Sequence, residues 1–127
     1  MRGGGKVNTI SSKIAHFALS QTMETIPPQV AGYGKQLLMD TFGVAMANLE
    51  LEHVQAIRQV VLKRESKPVS TLWGSDRKTY ISEAVLYNGG LIHGSDYDDT
   101  HVASIVHPSA AVVSTAFAVG EAVGASG

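Results

Sequence analysis

From Ser109 to Gly124 the chain carries a single charge, Glu121, and is otherwise built of small or apolar residues, with Ala116, Gly120 and Gly124 at four-residue spacing. A helix that is apolar nearly all round is stable only when enclosed, and small residues on one face let a second helix approach closely. The run is shorter than the roughly twenty residues a membrane span requires and contains an acid, so it reads as a buried central helix and not a membrane helix. The segments before it offer too little apolar surface to enclose it as well as one another. The chain also stops at Gly127 without a polar closing element. At 127 residues the sequence is therefore expected to be one domain or part of one, within a larger protein.

Earlier segments carry the marks of further helices. Asn8 or Thr9 can cap a helix in which Ile10, Ile14, Phe17 and Ala18 share a face, running to about Thr22, with His16 at its surface. Pro27-Pro28 opens a second helix with a stripe of Val30, Leu37, Leu38, Thr41, Phe42, Ala45 and Leu49; Gly32, Gly34 and Gly43 within it read as allowances for close packing. A third, Leu51 to Lys63, turns Leu51, Val54, Ile57 and Val61 inward and leaves His53 facing solvent. Pro68 breaks the pattern, and Val69 to Gly74 alternates like one short strand before a polar turn at Ser75 to Lys78. Ser82 is the expected cap of a fourth helix, with Ile81 stapling against Leu86 and Gly94 ending it in the left-handed conformation. Pro108 at the first helical position starts the fifth and puts His107 at its cap. The expected fold class is all-α: about five helices with at most one short extended segment.

Composition narrows the partners. Ten basic and eleven acidic residues give a net charge of −1 with no basic run, which argues against a nucleic-acid surface or an electrostatic membrane anchor. The absence of cysteine excludes disulfides, thiolate metal sites and a cysteine nucleophile, and fits a cytoplasmic protein. Met1 to Lys6 lacks the apolar core of a secretory signal and reads as a flexible lead-in. No glycine-rich nucleotide fingerprint follows a strand. A small molecule or another protein is the expected partner.

The chemistry concentrates between the fourth and fifth helices. His93 to Pro108 reads His-Gly-Ser-Asp-Tyr-Asp-Asp-Thr-His-Val-Ala-Ser-Ile-Val-His-Pro and holds three of the five histidines and three of the eleven acids. So many ionisable groups between apolar helices are a costly neighbourhood unless they are paired or used. One reading makes the acids a solvated turn and His107 only a cap. Another takes Asp96, Asp98 and Thr100 as the Asp-x-Asp-x-Thr nucleophile loop of haloacid-dehalogenase-like phosphatases, but the glycine-rich Tyr87 to Gly94 is a poor candidate for the buried strand that loop needs. A third is a metal site of carboxylates and imidazoles, against which stand the irregular spacing and the lack of a helical His-x-x-x-His pair.

Asn88-Gly89, then His93-Gly94-x-Asp96-Tyr97-Asp98-Asp99-Thr100-His101, then His107-Pro108-Ser109 and a small-residue helix, together resemble the MmgE/PrpD family, which includes 2-methylcitrate dehydratase and cis-aconitate decarboxylase. The resemblance runs from the first helix to the closing Gly-Ala-Ser-Gly. It implies a much longer homodimeric protein with a large helical domain and a smaller lid domain, of which residues 1–127 are the N-terminal part of the helical domain. It also implies a lyase that works on small polycarboxylates without metal or organic cofactor, 2-methylcitrate dehydratase-like in the first instance. Cis-aconitate decarboxylase or iminodisuccinate epimerase activity is the alternative, and a non-catalytic helical remnant or interaction module stands behind both. Asp96, Thr100 and His107 are then expected to line the pocket, with histidines and lysines from later segments completing it.

The residues themselves agree with that implication. Loss of water or carbon dioxide requires a proton moved at a carbon next to a carboxylate, and an imidazole performs this near neutral pH. We therefore assign His107 and Asp96 as catalytic and Thr100 and His101 as substrate-binding, with no metal. Free N–H groups in the first turn of the fifth helix are expected to hold a substrate carboxylate beside His107, while Asp98 and Asp99 are expected to be structural, capping amides of the turn.

Overall fold

Pro108 fixes its own φ and has no N–H to lose, and the fifth helix begins there as the sequence suggests, with His107 as the capping residue. In the computed structural model residues 9–64 and 67–126 are described, so Asn8, the lead-in Met1 to Lys6 and the last residue lie outside the description. The described elements are α1 (Ile10–Ser20), α2 (Pro28–Ala47), α3 (Glu52–Leu62), β1 (Ser70–Thr71), β2 (Lys78–Thr79), α4 (Ile81–His93) and α5 (Pro108–Val123). The protein is mainly α-helical, as its periodicity implies.

The chain divides into two units, residues 1–34 and 35–127. In the first, Thr9 caps α1 through a reciprocal pair with Ser12: the Ser12 N–H donates to Thr9 Oγ1 and the Thr9 N–H to Ser12 Oγ, each at 3.1 Å. Its apolar side chains Ile10, Ile14 and Phe17 are exposed, as is His16.

The second unit holds the core. Its largest helix contact is α4 against α5, followed by α3 against α4. Val54, Val61, Leu72, Ala84, Tyr87, Leu91, Ile92 and Val113 are buried together, with Phe42, Ile57 and Val85 partly buried around them. Phe42, Trp73 and Phe117 pack as an aromatic trio, ring centroids 4.4 to 5.9 Å apart. Burial raises the pKa of the Tyr87 phenol. Two buried asparagines join helices to neighbouring backbone. Asn48 Nδ2 donates to the Leu91 carbonyl at 2.8 Å, and Asn88 accepts the Trp73 N–H and donates to the Thr71 carbonyl, both at 3.0 Å.

Several local expectations are revised. The extended segment is one arm of an antiparallel hairpin, Ser70 opposite Thr79 and Thr71 opposite Lys78, turned at Gly74 with φ 72°; backbone N–H and C=O groups need partners, and the polar turn folds Lys78-Thr79 back to supply them. Helix α4 is capped at Tyr80, so Ser82 sits inside the first turn with its hydroxyl on Glu83, and Leu86 is exposed. The Glu83 carboxyl stays below the usual carboxylate range: burial pushes it up, but its backbone bonds, Ser82 and Arg64 together outweigh that.

The close-approach glycines are not the expected ones. A Cβ at Gly32, Gly34 or Gly43 would meet open space, and one at Gly120 would meet only Ala125 within the same terminal turn. At Gly89, by contrast, it would lie 3.2 Å from the Ala110 carbonyl of α5, so α4 and α5 approach through α4's glycine. On α5 itself Ser109, Val113, Ser114 and Ala118 are buried, while Val112, Phe117, Val119 and Val123 are exposed. Gly124 ends the helix in the left-handed conformation, φ 65°.

Candidate functional site

His93 closes α4, His107 caps α5, and the loop between them folds so that its acids meet both imidazoles. Gly94 does not end α4 in the left-handed region; its φ is −58°. It is glycine for space, since a Cβ there would lie 3.0 Å from the Gly90 carbonyl and 3.1 Å from Leu51 Cδ1 and Val54 Cγ2. The reversal falls instead on Asp96, φ 54°, a residue type that tolerates this conformation. The Asp96 N–H donates to the His93 carbonyl at 3.0 Å. His53, exposed as expected, still places Nε2 3.0 Å from the Gly94 carbonyl.

Asp98 is the centre of the cluster. Its side chain is 1 % exposed, and Oδ1 lies 3.0 Å from His93 Nδ1 and 3.2 Å from His107 Nδ1. The first contact has hydrogen-bond geometry; the second does not, so His107 Nδ1 and Asp98 Oδ2 are both buried without a hydrogen-bond partner. The rings of His93 and His107 meet edge-on with centroids 4.9 Å apart. On the other side of His107, Nε2 lies 3.5 Å from Oδ1 of the exposed Asp96. The two residues assigned to catalysis are therefore brought together.

Asp99 caps a backbone amide, the structural role expected of it, and does so at the first turn of α5. Its Oδ1 accepts the Ser109 N–H at 3.1 Å, so the chain's own carboxylate occupies the start of α5 where a substrate carboxylate was expected. Because Pro108 offers no N–H, much of that anion site is already used. The remainder of the loop folds on itself. The His101 N–H donates to the Val106 carbonyl and the Ile105 N–H to the His101 carbonyl, both at 2.9 Å. Ile105 takes φ 52°, strained for a β-branched residue. The His101 ring engages Ser104 Oγ through Nδ1 at 2.7 Å, away from the His93–Asp98–His107 group, and Thr100 is exposed.

A 660 Å³ cavity opens beside the cluster, walled by Ile57, Val85, Leu86, Ile105 and Ala110, with His93 and His107 as its ionisable groups. A second cavity, 630 Å³ and lined by Phe42, Trp73 and Phe117, has no imidazole, and its Glu121 is tied to Thr71 and Lys78. The chemistry therefore belongs to the first. His93, Asp96, Asp98 and His107 can each present one donor atom with all four within 4.8 Å of one another, a set that would also suit a divalent cation. Sequence reasoning gave Asp98 and His93 structural roles, which their hydrogen bond fits, but did not place them in one group with His107 and Asp96. The density of acids and imidazoles in the loop was the one signal, and it cannot sort which acid turns inward.

Residues 12–127 match the MmgE/PrpD N-terminal domain. The chain belongs to the MmgE/PrpD family. Two curated relatives, the cis-aconitate decarboxylases of Mus musculus and Homo sapiens, are 33% and 34% identical to it over 90 residues. The match takes in 69% of this chain but 18% of each relative, so the chain spans less than a fifth of the length of the curated relatives it matches. The matched residues include the loop that carries the cluster. Among the described residues no helix is long and apolar enough to cross a membrane.

Proposed function

We propose that this chain is the N-terminal part of the helical domain of a homodimeric, cofactor-independent MmgE/PrpD lyase acting on a small polycarboxylate, with later segments and a lid domain completing the site. The observation that carries the reading is His107: an imidazole held at the start of a packed helix, with Nε2 3.5 Å from Asp96 and one face on the cavity. In a dehydration, Nε2 accepts the proton from the carbon next to a carboxylate, the C–H electron pair becomes the double bond, and the hydroxyl leaves as water with a proton from a second acid. In a decarboxylation, carbon dioxide departs, its bonding pair stays on carbon, and the imidazolium returns a proton there. Asp96 faces the same nitrogen and orients the proton or a substrate hydroxyl, while Thr100 and the free Nε2 of His101 offer hydrogen bonds to carboxylates.

Both a 2-methylcitrate dehydratase-like reaction and cis-aconitate decarboxylation fit this chemistry. The names of the two relatives favour cis-aconitate as the first substrate to try. The test is turnover by the full-length protein of cis-aconitate, 2-methylcitrate and iminodisuccinate, followed by NMR of the products with and without chelator. Conversion of one of them, undiminished by chelation, is the expected result. No conversion of any would leave a non-catalytic helical module, and loss on chelation restored by magnesium or zinc would make the four-residue cluster a metal centre.

A further inference from the structure

Asp98 is buried to 1 % side-chain exposure between two imidazoles, yet one of its oxygens, Oδ2, and the nearest nitrogen of His107, Nδ1, both lack a partner. An ionised carboxylate can only accept hydrogen bonds, and a buried acceptor left unpaired is costly. These two orphaned atoms complement each other, and His107 Nδ1 already lies 3.2 Å from the other oxygen of the same carboxylate. We propose that Asp98 is the positioning residue of the site, held by the His93 Nδ1–H and accepting the Nδ1–H of His107, so that Nε2 of His107 is left unprotonated toward Asp96 and the cavity. Which imidazole nitrogen carries the proton is set by the bond the other one makes. Asp98 thereby decides that His107 presents a base. The idea rests on the lyase reading for its consequence in catalysis, but the tautomer itself is a property of this chain.

Long-range proton–nitrogen NMR of the ¹⁵N-histidine-labelled chain, at a pH where the imidazoles are neutral, reads that tautomer directly. His107 is expected as the Nδ1–H form, shifting toward Nε2–H in Asp98→Asn while Asp98→Glu restores it in part. An Nε2–H signal for His107 in the parent overturns the proposal without reference to any variant, so a misfolded Asp98→Asn does not shield it. Histidine signals that change only when zinc is added, or collapse on chelation, overturn it in favour of a metal centre. In the full-length enzyme Asp98→Asn is expected to lower kcat by about 10²- to 10⁴-fold with little change in KM. A rise confined to KM, with kcat unchanged, would make Asp98 a substrate-binding group instead. A tautomer that depends on Asp98 in a protein that turns over no polycarboxylate would sink the lyase reading and leave the positioning intact.

Discussion

Replacing Asn88 by alanine removes one side chain from α4 and unfastens the β-hairpin. The amide is 1 % exposed, accepts the Trp73 N–H and donates to the Thr71 carbonyl. Alanine leaves a buried N–H and a part-buried carbonyl without their partner, and each such loss costs up to about 1–3 kcal/mol. The expected destabilisation is therefore about 2–6 kcal/mol, tending to the lower end if water enters the vacated space. Against a typical domain stability of about 5–15 kcal/mol this is a large fraction. Urea unfolding followed by fluorescence of the single tryptophan, Trp73, and by helical circular dichroism would measure it, and hydrogen exchange would locate it. The Trp73 amide should exchange faster in Asn88→Ala, beyond what the global loss explains. Asn88→Asp keeps the acceptor but sets a carboxylate against the Thr71 carbonyl, and should be no milder. A change below about 0.5 kcal/mol, the scatter of ordinary surface substitutions, would refute the claim that this residue ties helix to hairpin.

Glycine substitutions should separate space from flexibility. Gly94→Ala should destabilise, because overpacking costs about 1–3 kcal/mol against a helical propensity gain of about 1 kcal/mol, whereas Gly43→Ala, with open space around it, should stabilise by about 0.5–1 kcal/mol; thermal melts giving the reverse order would contradict the packing. Glu121 supplies the pH test. Burial raises its carboxyl pKa, but Lys78 and the Thr71 hydroxyl and N–H outweigh that and hold it below the ordinary 4.5. A lowered folded-state pKa gives stability that is present above the unfolded value and lost as pH falls toward the folded one. The stability gap between parent and Glu121→Gln should thus be constant near neutrality and close on acidification below about pH 4.5; a gap that widens in acid would reverse the assignment.

Elements fixed by local rules were legible in the residues. Pro108 announced both the start of α5 and the capping position of His107, and the spacing of Leu51, Val54, Ile57 and Val61 announced α3 with Val54 and Val61 fully buried. Features set by contacts distant along the chain were not. The partner of Val69 to Gly74 lies across a turn, and the reason for glycine at position 94 is Leu51 and Val54, some forty residues away. Within the loop the motif marked His107 and Asp96, and the structure brings them together. It gave no means of telling Asp98, which enters between two imidazoles, from Asp99, which turns to the Ser109 amide. Only the fold of the loop over α5 separates them, and a run of adjacent acids carries no record of it.

The central claim is that His107 moves the proton. The most direct measurement is kcat of His107→Ala in the full-length protein, on whichever polycarboxylate the parent turns over, with folding checked by circular dichroism. A positioned acid or base contributes about 10²- to 10⁴-fold, so turnover should fall by that much, and His101→Ala should lose less. A folded His107→Ala enzyme that keeps the parent's turnover on every such substrate would contradict the account and reduce the imidazole to a helix cap.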